Sequence, residues 1–308
     1  MMTLLITALI SASALSFIRM SHLEARVADN TYALAQADIL AQGGLKAAMA
    51  LLALDNKNYD ANTEDEAWTQ FPRFAAAAAS QFQGGSFTGT IESLSGRFNL
   101  NTVVNKTGQE DPARRAQVER LFLELTLDPN QVEVLLDWLD PDEEQRPGGA
   151  ESAYYQSLAK PYPCQNGPLS TLAQLTRARG FTSEVVYGKG GEEELTLAKL
   201  ATVYGDGLIN INNADRLVLM SLDQDLTDGL AREIIGHRES HPFENLGQLL
   251  QVPGITPTLF NRIMPYLTVK SSYFLVQIEG RHNQAVVKVT AVVRRGDQGL
   301  SLIYYKSG

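Results

Sequence analysis

The first eighteen residues, Met1 to Ile18, carry no charged side chain; Arg19 is the first. As a helix rising about 1.5 Å per residue this run is roughly 27 Å long, close to the thickness of a hydrocarbon core. A secretory signal, a transmembrane helix and a buried core helix would all begin this way. A cleavable signal has a basic segment before its apolar core, and neither Lys nor Arg precedes this one. No breaker follows the run. The chain continues in helix formers to about Leu54, and its first proline is Pro72. Leu23, Val27, Leu34, Ile39, Leu45, Met49 and Leu52 fall at helical spacing, interleaved with Glu24, Arg26, Asp38 and Lys46. The pattern predicts one helix of about 50 residues, with residues 1–20 in lipid and the rest in water. A buried core helix is the alternative. Gly43 and Gly44 are its weak point, costing about 1 kcal/mol each relative to alanine.

A chain of 308 residues suits two packed units, and 44% apolar residues are enough to bury a core. Thirty-five acids against 26 bases give −9, which argues against coating nucleic acid by charge alone. One cysteine, Cys164, excludes an internal disulfide framework.

The far end changes period. After Ser272, three runs rich in β-branched and aromatic residues are separated by His282-Asn283 and Gly296-Asp297. Val287, Val289, Ala291 and Val293 alternate with Lys288, Thr290 and Arg294, so one face is buried and one solvated. Ser86 to Leu94 alternates likewise. This predicts an antiparallel sheet whose apolar face is covered by the second half of the N-terminal helix.

The helical middle repeats. Pro168, Leu172, Gln174, Leu175, Gly180 and Thr182 recur 74 residues later as Pro242, Leu246, Gln248, Leu249, Gly254 and Thr256. Upstream, Phe98-Asn99-Leu100-Asn101 matches Ile209-Asn210-Ile211-Asn212. Two tandem copies, about 97–183 and 208–257, follow. Each contains a helix, a tight glycine turn and a helix, resembling helix-hairpin-helix nucleic-acid binders. Phosphate binding would need cations beside the turn. Residues 207–268 hold four Arg against seven acids, so a packing module is favoured over a DNA reader.

The densest acidic cluster is Asp137-Trp138-Leu139-Asp140-Pro141-Asp142-Glu143-Glu144, followed by Arg146, Pro147-Gly148-Gly149 and Glu151. Pro141 ends a helical run and the glycines turn the chain back. Crowded carboxylates suit a hard cation such as Ca²⁺, which takes 6–8 oxygen ligands, although the spacing is not that of an EF-hand. Composition alone favours a solvated loop over a bound ion. A second acidic stretch, Asp60 to Glu66, reads as plain solvated loop. His237 and His241 lack a third ligand, Cys164 lacks a neighbouring base, and no nucleophile elbow or phosphate loop occurs. No active site is expected.

These residues together resemble the K-type minor pseudopilins of type II secretion systems (the general secretion pathway protein K family). NYDANTEDEAW (58–68), GRFNLN (96–101), LLDWLDPDEEQRPGGAESAYY (135–155), NGPLSTLAQL (166–175) and the terminal meander carry the resemblance in order. It implies an α+β, pilin-like fold: a long N-terminal helix packed on an antiparallel β-sheet, interrupted by a large α-helical insertion of two helix-hairpin-helix or SAM-like repeats. The expected divisions are 1–20 in the membrane, 21–95 and 271–308 in the pilin-like domain, and 96–270 in the insertion. Also implied are a single-pass place in the bacterial inner membrane, a periplasmic body and a tip complex with I- and J-type minor pseudopilins. Calcium binding in the insertion is implied as well, with Asp137, Asp140, Asp142, Glu144 and Glu151 as candidate ligands. The resemblance implies neither an enzyme nor a nucleic-acid partner; a membrane-anchored helix-hairpin-helix DNA receptor is the alternative.

Two departures stand out. The sequence as numbered shows no basic leader of the kind prepilin peptidase removes from pseudopilins; Met2-Thr3-Leu4-Leu5 reads as the start of the mature helix, so a late start of the numbering is expected. That peptidase would act only on a leader preceding this start. Most pseudopilins carry Glu at the fifth mature position, where counting from Met2 gives Ile6. The K-type lacks that Glu, as suits a tip subunit with no helix above it to pair with.

Overall fold

The computed structural model describes residues 1–55, 58–64, 66–82, 84–105, 107–191 and 194–308. In chain order its first elements are α1 (Met2–Leu54), α2 (Phe71–Ala78), β1 (Gly85–Ser93), β2 (Phe98–Asn99), α3 (Pro112–Glu124), α4 (Asn130–Leu139) and α5 (Ser152–Gln156). There follow α6 (Ser183–Tyr187), α7 (Leu197–Leu200), β3 (Ala201–Thr202), β4 (Ile209–Asn210), α8 (Arg216–Ser221) and α9 (Asp228–Ser240). The chain ends with α10 (Pro257–Ile263), β5 (Leu267–Thr268), β6 (Tyr273–His282), β7 (Ala285–Gly296) and β8 (Gly299–Ser307).

Helix α1 is unbroken over 53 residues, about 80 Å. Its first part stands clear of the body, with Leu5, Leu9, Ile10 and Phe17 exposed, so it is not a buried core helix. By length and composition it can cross a membrane. Further on, Ala37, Ala41, Gly44, Ala48 and Leu52 are buried, and the helix lies on β1, β6 and β7. The small residues let the backbones approach. A Cβ on Gly280 of β6 would sit 2.2 Å from the Ala37 carbonyl oxygen, and one on Gly44 would sit 2.8 Å from the Ile278 side chain. The propensity cost of Gly44 is therefore set against a close contact that a side chain would prevent.

The sheet has the order β1-β6-β7-β8, antiparallel throughout. Gly85 faces His282 and Ser93 faces Phe274. The helical insertion leaves after β1 and returns into β6 beside it: Leu94 N donates to Tyr273 O (2.9 Å), and Ser272 N donates to Ser95 Oγ (3.1 Å). Adjacent entry and exit let the insertion interrupt the chain without breaking the ladder. Each part buries its own core. Trp68, Phe71, Phe87 and Phe274 lie beneath α1, while Phe122, Trp138, Tyr155, Phe181 and Phe243 fill the insertion.

The duplication is visible bond by bond. Asn101 Nδ2 donates to Leu169 O (2.9 Å) and Leu169 N returns a bond to Asn101 Oδ1 (2.8 Å). Asn212 and Phe243 repeat both bonds at 2.9 and 2.8 Å. Thr171 with Gln174 and Asn245 with Gln248 form matching capping boxes. A two-residue parallel pairing follows each hairpin, β2 with β3 and β4 with β5. The copies meet through α3 and α8, where Arg120 Nε donates to Ser221 O (2.8 Å).

One expectation is corrected. Within the stretch Asp60 to Glu66, Asp60 and Glu66 are fully buried rather than solvated; Asp65 lies outside the described residues. Asp60 is ion-paired with Arg295 of β7 and accepts from Ser271 N at 2.6 Å. Arg295 also pairs with Asp55, just past α1, and donates to Ser271 O at 2.9 Å. Asn210 Nδ2 donates to Asp60 O and Ser271 Oγ, both at 2.9 Å. Burial raises the Asp60 carboxyl above the usual range and Arg295 opposes it. A countercharge from far along the chain makes the burial tolerable.

Candidate cation site

The site grows from the end of α4. Helical spacing turns Val134, Leu135 and Trp138 into the insertion core and carries Asp137 inside with them, fully buried. Asp140 caps the C-terminus with extended backbone, and Pro141 lacks the N–H that another turn would need. The chain then loops out and turns at Gly148, whose φ of +87° is the left-handed region glycine favours. At Gly149 a Cβ would lie 2.0 Å from Asp137 Oδ2, so only glycine fits there. Glu151, 2% exposed, precedes α5 and comes back beside Asp140.

Of the five residues expected to ligate, Asp140, Asp142 and Glu151 place carboxylate oxygens within 4.8 Å of one another. Asp137 is differently engaged. It accepts from Arg146 Nη1 (2.8 Å) and from Arg146 N (3.3 and 3.2 Å). Glu144 is exposed, and its backbone N–H donates to Asp142 Oδ1 (2.8 Å). Arg146, present in the motif but not among the expected ligands, also pairs with Asp140 Oδ2. Its position six residues after Asp140 in a turning loop is the signal that could have found it.

Glu143 is occupied elsewhere, accepting from Ser152 Oγ and Asn166 Nδ2 at 2.9 Å each. Asp140 Oδ1 and both oxygens of Glu151 are buried and lack a hydrogen-bond partner among the described residues. The neighbouring Cys164 thiol points at the Asp137 carbonyl (3.5 Å), and burial pushes it up to about 12. Desolvation, then the negative charges of Asp137, Asp140 and Glu143, push the Glu151 carboxyl up to about 7. Desolvation also raises Asp140, against the pull of Arg146. Buried carboxylate oxygens without donors cost several kcal/mol unless a proton or a cation satisfies them. An all-oxygen donor set fits a hard divalent cation.

The second hairpin offers no free arginine for phosphate. All four arginines of residues 207–268 are committed internally. Arg216 and Arg232 pair with Asp228, Arg262 pairs with Asp223 and Asp225, and Arg238 donates to the carbonyls of Ile211 and Ala214 (2.7 Å each).

The family described as "Type II secretion system (T2SS), protein K" matches residues 96–187, and the helix-hairpin-helix motif matches residues 206–268. Type II secretion system protein K of Pectobacterium carotovorum is 27% identical over 213 residues, covering 64% of this chain and 62% of that protein's own length. The Pseudomonas aeruginosa protein K is 28% identical over 256 residues, 79% of this chain and 72% of the relative. That of Klebsiella pneumoniae is 27% identical over 295 residues, covering 89% and 85%. A chain from the crystal structure of the GspK-GspI-GspJ complex of the enterotoxigenic Escherichia coli type 2 secretion system superposes with a TM-score of 0.74. The match covers 92% of this chain and 99% of that one at 21% identity, showing the shared fold.

Proposed function

The chain belongs to the type II secretion system protein K family, and from that premise we propose that it is a minor pseudopilin at the tip of the secretion pseudopilus. It is a structural subunit rather than an enzyme. In this reading α1 anchors the chain in the bacterial inner membrane and the folded body lies in the periplasm. The body joins I- and J-type minor pseudopilins in a complex that initiates or caps the pilus for protein export.

The observation that carries the reading is the order of parts: projecting apolar helix, first strand, duplicated insertion, terminal meander. The fold is shared along 92% of the chain with a chain from a GspK-GspI-GspJ complex. The DNA-receptor alternative loses its physical basis because the hairpin arginines are spent on internal carboxylates and carbonyls.

The reading extends to a structural Ca²⁺ held by Asp140, Asp142 and Glu151. When bound, the ion supplies positive charge to carboxylates that otherwise repel, joining the end of α4, the loop and the start of α5. The test of the assembly is co-purification of the full chain, solubilised from membranes, with tagged I- and J-type partners. A stable three-component complex is expected, and failure of this chain to co-elute would sink the tip reading.

A further inference from the structure

The acidic loop already contains a cation of its own. Between Asp137 and Glu151 the sequence holds six carboxylates (Asp137, Asp140, Asp142, Glu143, Glu144 and Glu151) and one basic residue, Arg146. Its Nη1 donates to Asp137 Oδ1 (2.8 Å) and reaches Asp140 Oδ2, while its backbone N–H faces both oxygens of Asp137. Among the described residues Asp137 thus receives its donors from Arg146 alone, with the Gly149 backbone packed against its other side. The oxygens left without donors, Asp140 Oδ1 and the two of Glu151, lie on the far half of the cluster with Asp142.

We infer that Arg146 is a resident counter-ion that divides the cluster into a guanidinium-paired half, Asp137 with one oxygen of Asp140, and a metal-facing half, Asp140, Asp142 and Glu151. This rests on the calcium reading and adds a role for a residue that ligates nothing. Arg146 is a positioning residue: it sits between Asp142 and Glu151 in sequence and ties their loop to the end of α4. Its permanent charge keeps two buried carboxylates tolerable whether or not the ion is present. Asp137 then serves the ion only through Arg146.

The role has a signature that mere packing lacks. Without Arg146, the apo loop holds Asp137 and Asp140 with no countercharge, whereas the ion-bound loop retains a divalent one. Arg146→Gln in the full-length protein in detergent is therefore expected to lose about 10 °C of melting temperature in chelator and less than half of that in millimolar Ca²⁺. The gap between the two conditions widens relative to wild type. Should the variant unfold outright in chelator and refold with Ca²⁺, the same conclusion follows. Arg146→Lys, which keeps the charge and loses the fork, is expected to leave the gap near that of wild type.

Equal losses in Ca²⁺ and in chelator, with the wild-type gap intact, would overturn the role of Arg146 and spare the calcium reading. No gap in either protein would remove the ion, and this role with it.

Discussion

Arg295, near the end of β7, is ion-paired with Asp60, a fully buried residue 235 positions earlier in the chain. The pair ties together three parts of the fold. Asp55 follows α1, Asp60 lies in the loop before α2, and Ser271 is where the insertion returns to the sheet. Asp55 and Asp60, the carboxylates paired with Arg295, are held inside with it, so the strength of the clasp depends on keeping both signs.

Removing one sign is therefore costly. Arg295→Met is expected to destabilise the protein by about 3–5 kcal/mol, because it leaves Asp55 and Asp60 buried without this countercharge, whereas Asp60→Asn should cost less because Arg295 keeps its pair with Asp55. The double variant should be less damaging than the sum of the two. Denaturant unfolding of the four proteins measures the coupling.

The cation site makes a residue-by-residue prediction. Glu151→Gln and Asp140→Asn are expected to weaken Ca²⁺ binding by about tenfold or more, since each removes a full charge from the donor set. Glu144→Gln, altering an exposed side chain, should change affinity by less than about twofold. Isothermal titration of the full-length protein reads both.

Protonation competes with the ion at Glu151. Its carboxyl titrates at about 7 in the metal-free fold, against 4.5 for the free side chain. The folded state then binds more protons than the unfolded state between these values, so stability falls as pH rises across that window. The loss is at most about 3 kcal/mol. Ca²⁺ needs the ionised form, so its affinity should climb as pH rises through 7 in titrations between pH 5.5 and 8.5. A flat profile would overturn the raised titration of Glu151 and leave its ligation to be read from the Glu151→Gln variant.

The repeated asparagines should behave alike. Asn212→Ala leaves the Phe243 N–H and carbonyl without their partner and is expected to cost about 3 kcal/mol. Asn101→Ala does the same to Leu169 in the first copy, at similar or slightly smaller cost because the site is less buried. Thermal unfolding of the two variants compares them directly.

Gly280→Ala tests the seating of the long helix. The added methyl would meet the Ala37 carbonyl and the Ala41 N–H at 2.2 and 2.6 Å, both backbone atoms that cannot swing aside. A loss of about 2–3 kcal/mol is expected. Amide exchange should quicken around Ala37 to Ala41 if the helix lifts from the sheet.

Much of this architecture was legible along the chain. The uncharged run before Arg19 and the helical spacing beyond it gave α1, and the period-two pattern around Val287 to Val293 gave β7. A 74-residue recurrence gave the duplicated hairpins, and the motif around Asp137 to Glu151 pointed to the acidic loop. What escaped was anything whose partner lies far away in sequence. Asp60 and Glu66 read as solvated because composition shows charge but not its neighbours, and Arg295 is invisible from their vicinity. The two-residue strands β2, β3, β4 and β5 escaped too, being too short to carry a period.

By itself, then, the sequence determined the longer elements and carried the family resemblance in its motifs, because periodicity, turn residues and repeated motifs are local properties written within a few residues of each other. Only the tertiary structure decided how the charges are spent. It set Arg295 on Asp60, set Arg146 on Asp137 and Asp140, and left oxygens of Asp140 and Glu151 without donors. It also decided why Gly280 must be glycine, where its backbone meets that of α1, and why Gly44 sits close against the Ile278 and Phe87 side chains. The physical reason is common to both. Electrostatic and steric energies depend on distance through space, which a linear pattern does not specify until the chain has folded.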